Sequence, residues 1–388
     1  MESTDIKYKR LQKLRKDVIN ISTVYSESPE NDLWRELLQY SYEANIKRYL
    51  ENKGISPEEE TVNCIAGSFL QAFEYYKSAK EADIQIAPLL LYYGSSNLFY
   101  GMINLLSGSI NKIDNHGMKL LIPEDMTFIA DANIRFVSPV NGGVNVIGRA
   151  IGFNSDLTGL GDWKLKDFLD SIAEINTDYM RCYDLQAGRV AMIDIYNTPD
   201  GKAEKIYFTN ENKDAILSVL SEIENFNQSY LRISVANEFE THKDYFVLRH
   251  KLTGQDISEI SYSGQPYLRA GHNKNGQLVT VPTILNMYIA LFSLASLCRY
   301  HPERWSPFVQ KDTTGEKLLI EKFLFFARRM LPNFVLNHIV NDNIQYTSSK
   351  YSEKNTIKLV GEHQVQELVD RKVQEQFDMR KIKDFSKQ

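Results

Sequence analysis

The stretch Val281–Pro307, VPTILNMYIALFSLASLCRYHPERWSP, constrains the fold more than any other part of the chain. Pro282 suits a first helical turn, where a backbone N–H has no intrahelical partner to lose. From Ile284 to Cys298 the residues are apolar except for Asn286, Ser293 and Ser296. A helix apolar on nearly all sides belongs inside a protein or inside a membrane. This run is about 15 residues, short of the roughly 20 that a bilayer demands, so we read a core helix and expect no membrane span. At its end the texture turns abruptly polar, through Arg299, Tyr300, His301, Glu303, Arg304 and Trp305, and Pro302 stops the helix.

Ile86–Leu106 is a second apolar helix, and its small residues Gly94, Ser95, Ser96 and Gly101 would admit a neighbour at close range. It is the natural partner of the first. If they pair, residues 1–112 and 282–388 form one helical body and residues 113–281 are an insertion with a different texture. Within the insertion, Met118–Ile122, Thr127–Val137 and Val144–Ile151 read as short strands and Asp162–Tyr183 as a helix. Arg189–Tyr196 and Lys205–Thr209 flank Thr198-Pro199-Asp200-Gly201, a hairpin turn. Lys213–Phe226 reads as a helix, and Tyr230–Val235 and Asp244–Leu248 as strands. Tyr267–Val281 reads as a second hairpin turning on Asn275-Gly276, a type I′ signal.

Outside the insertion, helical spacing predicts helices over Asn31–Leu50, from the Ser56-Pro57-Glu58-Glu59 start through Ala79, over Gly315–Met330, Asn333–Val340 and Glu362–Met379. The basic residues between 5 and 20 read as the solvated face of an amphipathic helix. The fold class that follows is α+β: a mainly helical bundle from both ends of the chain, with a mixed β-containing insertion.

The formal net charge is −5, so attraction to nucleic acid would have to come from a local patch. Cys64, Cys182 and Cys298 are far apart, with no CxxC and no Cys/His cluster, and Met1–Lys16 has no apolar core. A reducing cytoplasm is the expected home. No P-loop, dinucleotide fingerprint, HExxH or GxSxG is present. Asp194 with Asp200-Gly201-Lys202 has the carboxylate–lysine content of metal-dependent nucleases, but in a turn rather than on a strand. No two histidines stand at i, i+4, and we expect no metal and no cofactor.

His301 stands out among the seven histidines because Arg299, Arg304 and Trp305 surround it at the end of a buried helix. One reading is a general acid or base beside a guanidinium. The other is a helix stop, with the arginines paired and Trp305 packing the base. Arg269 and His272, in Leu268–His272, would join the same place if the second hairpin runs directly into the helix, adding with Trp305 a binding surface.

Gln71-Ala72-Phe73-Glu74-Tyr75-Tyr76, Pro88–Met102 and Leu291–Trp305 resemble the YaaC-like family of bacterial proteins, across roughly residues 30–110 and 265–340. The resemblance implies a cytoplasmic bacterial protein and assigns no activity. The helical part is also similar to the HEPN-type bundles of toxins and antiviral defence RNases, which carry Arg, then four to six residues, then His. Here a single residue separates Arg299 from His301. Two expectations follow. One is a non-catalytic interaction, scaffold or sensor component of a defence or stress system, with a protein partner or a second copy of the chain. The other is a metal-independent RNase acting on RNA, in which His301 is the acid/base and Arg299 or Arg304 stabilises the phosphate charge. Exposure discriminates: an open cleft at Arg299 and His301 favours the enzyme, and buried pairing favours the scaffold.

Overall fold

A computed structural model describes residues 21–348, apart from 138–140, 186–187, 199–200, 209–212, 224–225, 239–242, 252–256 and 263. The basic segment 5–20, the turn residues 199–200 and the expected helix Glu362–Met379 lie outside the described residues. The protein is α+β and mainly helical, as the sequence predicts.

Four helices open the helical body: α1 (Pro29–Leu38), α2 (Glu43–Glu51), α3 (Glu59–Glu81) and α4 (Ala87–Ser107). A single helix was expected over Asn31–Leu50, but a 3₁₀ turn at Gln39–Ser41 and an extended Tyr42 separate α1 from α2. The Ser41 hydroxyl donates to the Leu38 carbonyl, competing for a helical acceptor, and the turn lets buried Tyr40 pack 5.6 Å from both Tyr49 and Phe69. The α3 helix starts where expected, although its cap is Glu58 rather than Ser56.

The small residues of α4 divide between two neighbours: Ser96 meets the expected one, with its Oγ 3.2 Å from the Tyr288 hydroxyl, while Gly94, Ser95 and Gly101 face α3. A Cβ on Gly94 would meet the Tyr76 ring of α3 at 2.8 Å, and one on Gly101 would meet the Phe69 ring at 3.1 Å. The other face of α4 meets the central helix of the C-terminal part, with the Phe99 and Tyr288 rings 5.5 Å apart.

In the insertion, Met118–Leu121, Asn133–Phe136 and Trp163–Lys164 form a small antiparallel sheet. The expected strand Val144–Ile151 is instead α5 (Gly143–Ala150). Val144, Ile147 and Gly148 stand at i, i+3 and i+4 and are buried, so tertiary packing overrides the β-branched composition. The expected helix Asp162–Tyr183 is broken into a strand, α6 (Leu165–Leu169), a 3₁₀ turn and α7 (Asn176–Cys182). The break allows Trp163 to pair with Ile134 while its ring stacks 5.3 Å from Phe168.

A four-stranded antiparallel sheet follows in the order Asp194–Thr198, Gly201–Phe208, Lys243–His250, Tyr230–Glu238, with α8 (Lys213–Ser221) and α9 (Phe226–Ser229) between its strands in sequence. Val190–Met192 belongs to a separate sheet with Pro266–Arg269 and Glu259–Ile260. The second hairpin is shorter than expected, His272–Lys274 against Gln277–Val279. Asn275 and Gly276 have φ of 52° and 81°, the left-handed pair a type I′ turn needs.

The chain closes with α10 (Thr283–Tyr300), α11 (Pro302–Lys311) and α12 (Glu316–Val340). Two helices were expected where α12 is continuous through Pro332. Leu331, Val335 and Leu336 are fully buried around that proline, so packing offsets its missing hydrogen bond. A parallel strand pair, Ile21–Ser26 with Asn343–Ser348, ties the two ends together. One large core runs from Leu33 to Tyr346 and includes buried residues of 118–179, while a smaller one lies within 191–270. Among the described residues, α10 is the one helix long and apolar enough to cross a membrane, and 83% of it is buried inside the protein.

Candidate functional site

The α10 helix places chemistry at both of its ends, and those ends are far apart. Its 18 residues span about 27 Å at 1.5 Å each. Arg269 and His272 lie with the strands leading into its start, and Arg299 and His301 lie at its finish, so the expected convergence does not occur.

At the start, Arg269 is buried and donates from Nε to Glu259 Oε1 at 3.1 Å and from its guanidinium to the Val281 carbonyl. Tyr267 and Thr283 donate to Glu259 Oε2 at 2.7 and 3.0 Å. Burial pushes the Glu259 carboxyl up, but the Arg269 charge and these hydrogen bonds outweigh it and hold the carboxyl below its ordinary range. His272 is buried with Nε2 2.9 Å from Asp170 Oδ2. Asp167, Asp170 and His272 bring ligand-type atoms within 4.8 Å of one another. Lys274 Nζ, 2.6 Å from Asp167, and Arg189 Nε, 4.0 Å from Asp170, already supply the positive charge there. Arg269 therefore joins a buried ion pair with Glu259 and His272 a buried hydrogen bond with Asp170, rather than forming the binding surface expected of them.

At the finish, a cleft of about 350 Å³ opens between α4, the segment 116–121 and the last turns of α10. Buried Tyr92 and Phe292 line it from below, and Tyr93, His116, Lys119, Arg299, Tyr300 and His301 line its rim. Arg299 is exposed, donates to the Tyr93 hydroxyl and lies 4.9 Å over the Tyr300 ring. Among the described residues no carboxylate pairs with it. His301 ends α10, its N–H donating to the Leu297 carbonyl at 3.0 Å and its Nδ1 3.2 Å from Glu303 Oε1; a third of its side chain is exposed. The formally charged residues lining the cleft are Lys119 and Arg299, both cations, in a protein of net charge −5.

Arg304 is exposed on α11 and is not among the cleft walls. Trp305 was expected to bind; it is instead fully buried, with Nε1 donating to the Gln85 carbonyl at 3.1 Å and its ring 5.1 Å from Phe308. That residue is architecture.

The residue that sequence reasoning missed is His116. It is exposed on the cleft side, its Nδ1 lies 2.6 Å from Tyr92 Oη, and its ring is 5.6 Å from Phe292. Burial of the imidazole lowers its pKa below the ordinary 6.5, and the nearby Arg299 charge lowers it further. No motif surrounds His116; the available signal was the hydroxyl pair Tyr92-Tyr93 in a largely apolar helix.

A family model described as YaaC-like protein matches residues 30–339. No curated protein matches the chain. No solved structure matches it.

Proposed function

The chain belongs to the YaaC-like family, and from that premise we propose that it is an RNA-binding sensor or scaffold component of the bacterial cytoplasm, whose cleft takes one nucleotide of a single strand. The observation that carries the reading is the lining of the cleft at the end of α10. Its formal charges are all positive, and Tyr92, Tyr93, Phe292 and Tyr300 set aromatic rings among its aliphatic wall residues. Single-stranded nucleic acid is held by this combination, with cations on the phosphates and rings stacking on the bases. Tyr300, 63% exposed beside Arg299, offers such a ring at the rim. The cleft volume is at the low end for ligand sites and suits one nucleotide rather than a duplex. A partner protein, or a second copy of the chain, would read the occupied cleft.

A fluorescence-anisotropy titration of a labelled single-stranded RNA against the full chain tests the reading, with the matching DNA and a mononucleotide as further arms. Saturable RNA binding that weakens at least tenfold in Arg299→Ala supports it. Equal binding by the variant would refute it.

A second reading, metal-independent RNA cleavage, is favoured by one specific observation. Two imidazoles, His116 and His301, share the open cleft with a guanidinium. Arg304 has no part in it, and the Arg–His pair is completed by a histidine from a distant loop.

A further inference from the structure

Four hydroxyl and imidazole groups beneath the cleft form a chain whose direction can be derived. Ser96 Oγ donates its single proton to the Tyr92 carbonyl at 2.9 Å. The Tyr288 hydroxyl, 3.2 Å from Ser96 Oγ, must then be the donor in that contact. With its proton so used, Tyr288 can only accept from the Tyr92 hydroxyl at 3.4 Å. Tyr92 in turn can only accept from His116, whose Nδ1 is 2.6 Å away. All four contacts are satisfied in this one direction. The chain assigns His116 the Nδ1–H tautomer, which leaves Nε2, the ring nitrogen not engaged by Tyr92, unprotonated.

We propose that His116 is a general base of this cleft and acts on the 2′-hydroxyl of a bound RNA nucleotide. The inference rests on the RNA-cleavage reading and adds to it the residue that takes the proton, for which Arg299 and His301 alone do not suffice. His116 Nε2 accepts the 2′-OH proton as the 2′ oxygen forms its bond to phosphorus. The bond from phosphorus to the 5′ oxygen of the next nucleotide breaks. His301, whose Nδ1 is held 3.2 Å from Glu303, gives a proton from Nε2 to the leaving oxygen. Arg299, fixed by Tyr93, faces the charge that gathers on the non-bridging oxygens. The products are a 2′,3′-cyclic phosphate and a 5′-hydroxyl, with no water, metal or redox partner consumed, and exchange with solvent restores the two imidazoles. His116 and Arg299 are gripped by consecutive tyrosines of α4, Tyr92 and Tyr93, whose rings are 5.6 Å apart, so base and phosphate anchor stand side by side. The two imidazoles have different neighbours: Tyr92, Phe292 and the Arg299 charge adjoin His116, whereas Glu303 adjoins His301.

The test uses the full chain, a 5′-labelled single-stranded RNA and its DNA counterpart, in EDTA, with product ends identified and RNA binding measured in parallel. The expected result is RNA-only cleavage leaving 2′,3′-cyclic phosphate, slowed about 100-fold or more in His116→Ala with binding retained. Tyr92→Phe, which removes the acceptor for Nδ1–H, should slow it less while shifting the acid limb of the pH profile, and Arg304→Ala should leave it unchanged. Nitrogen-15 NMR of histidine-labelled wild-type protein reads the tautomer without any variant, and His116 should show an unprotonated Nε2. A His116 carrying its proton on Nε2, or cleavage undiminished in folded His116→Ala, overturns the assignment. Binding without cleavage overturns it too, and leaves the RNA-binding reading standing. Absence of both binding and cleavage removes that reading as well.

Discussion

At the scale of single residues, the polar knot at the end of α10 divides into architecture and chemistry. Trp305 is fully buried against Phe308, so Trp305→Ala should cost about 3–5 kcal/mol of stability. Chemical denaturation should show that loss, and RNA affinity measured on the folded variant should stay within twofold. His116 makes the opposite kind of prediction. Its folded pKa lies below the unfolded value of 6.5, so on acidification the unfolded chain binds the proton first. The contribution is complete above the ordinary imidazole range and is lost as pH falls through the folded value. Between pH 8 and pH 5 the wild-type melting temperature should therefore fall more than that of His116→Gln. An identical decline in both proteins would show that the imidazole is not held neutral. Local sequence made His301 and Arg299 visible because they follow a long, mostly apolar run. His116 was invisible because its partner, Tyr92, is 24 residues away.

At the scale of elements, the long periodic segments were legible and the short β-branched ones were not. The α3, α4 and α10 helices begin and end near their expected positions, because prolines and apolar runs act locally. The region Val144–Ile151 misleads because its composition suits a strand, while the surface that buries Val144 and Ile147 comes from elsewhere in the chain. The roles of Gly94 and Gly101 were legible as close approach, but not the identity of the neighbour. With the Tyr76 ring 2.8 Å from a Cβ at position 94, Gly94→Ala should overpack the α3–α4 contact and destabilise the protein by about 1–3 kcal/mol. Gly67, on α3 with open space at its Cβ, is the internal control, and Gly67→Ala should be neutral or stabilising. Denaturant midpoints for the two variants that failed to differ would contradict the packing described.

At the scale of the whole molecule, stretches far apart in sequence meet at the cleft. His116 and Lys119 come from the segment after α4, Tyr92 and Tyr93 from α4, and Arg299 and His301 from the end of α10, so the cleft exists only when these three segments are folded together. Net charge pointed away from nucleic acid, and only the assembled surface shows two cations meeting without a carboxylate among the lining residues. If Lys119 and Arg299 each neutralise one phosphate, the logarithm of RNA affinity should fall with the logarithm of salt concentration with a slope of about −1.4. A slope near zero would argue against phosphate recognition, and a much steeper one would place the binding surface beyond the cleft. The most direct measurement is that anisotropy titration of single-stranded RNA at fixed salt, comparing wild type with Arg299→Ala and Lys119→Ala in proteins of equal stability. Arg299→Ala should weaken binding at least tenfold and Lys119→Ala several-fold, and together they should weaken it further than either alone. Unchanged affinity in both variants would contradict the claim that this cleft holds RNA.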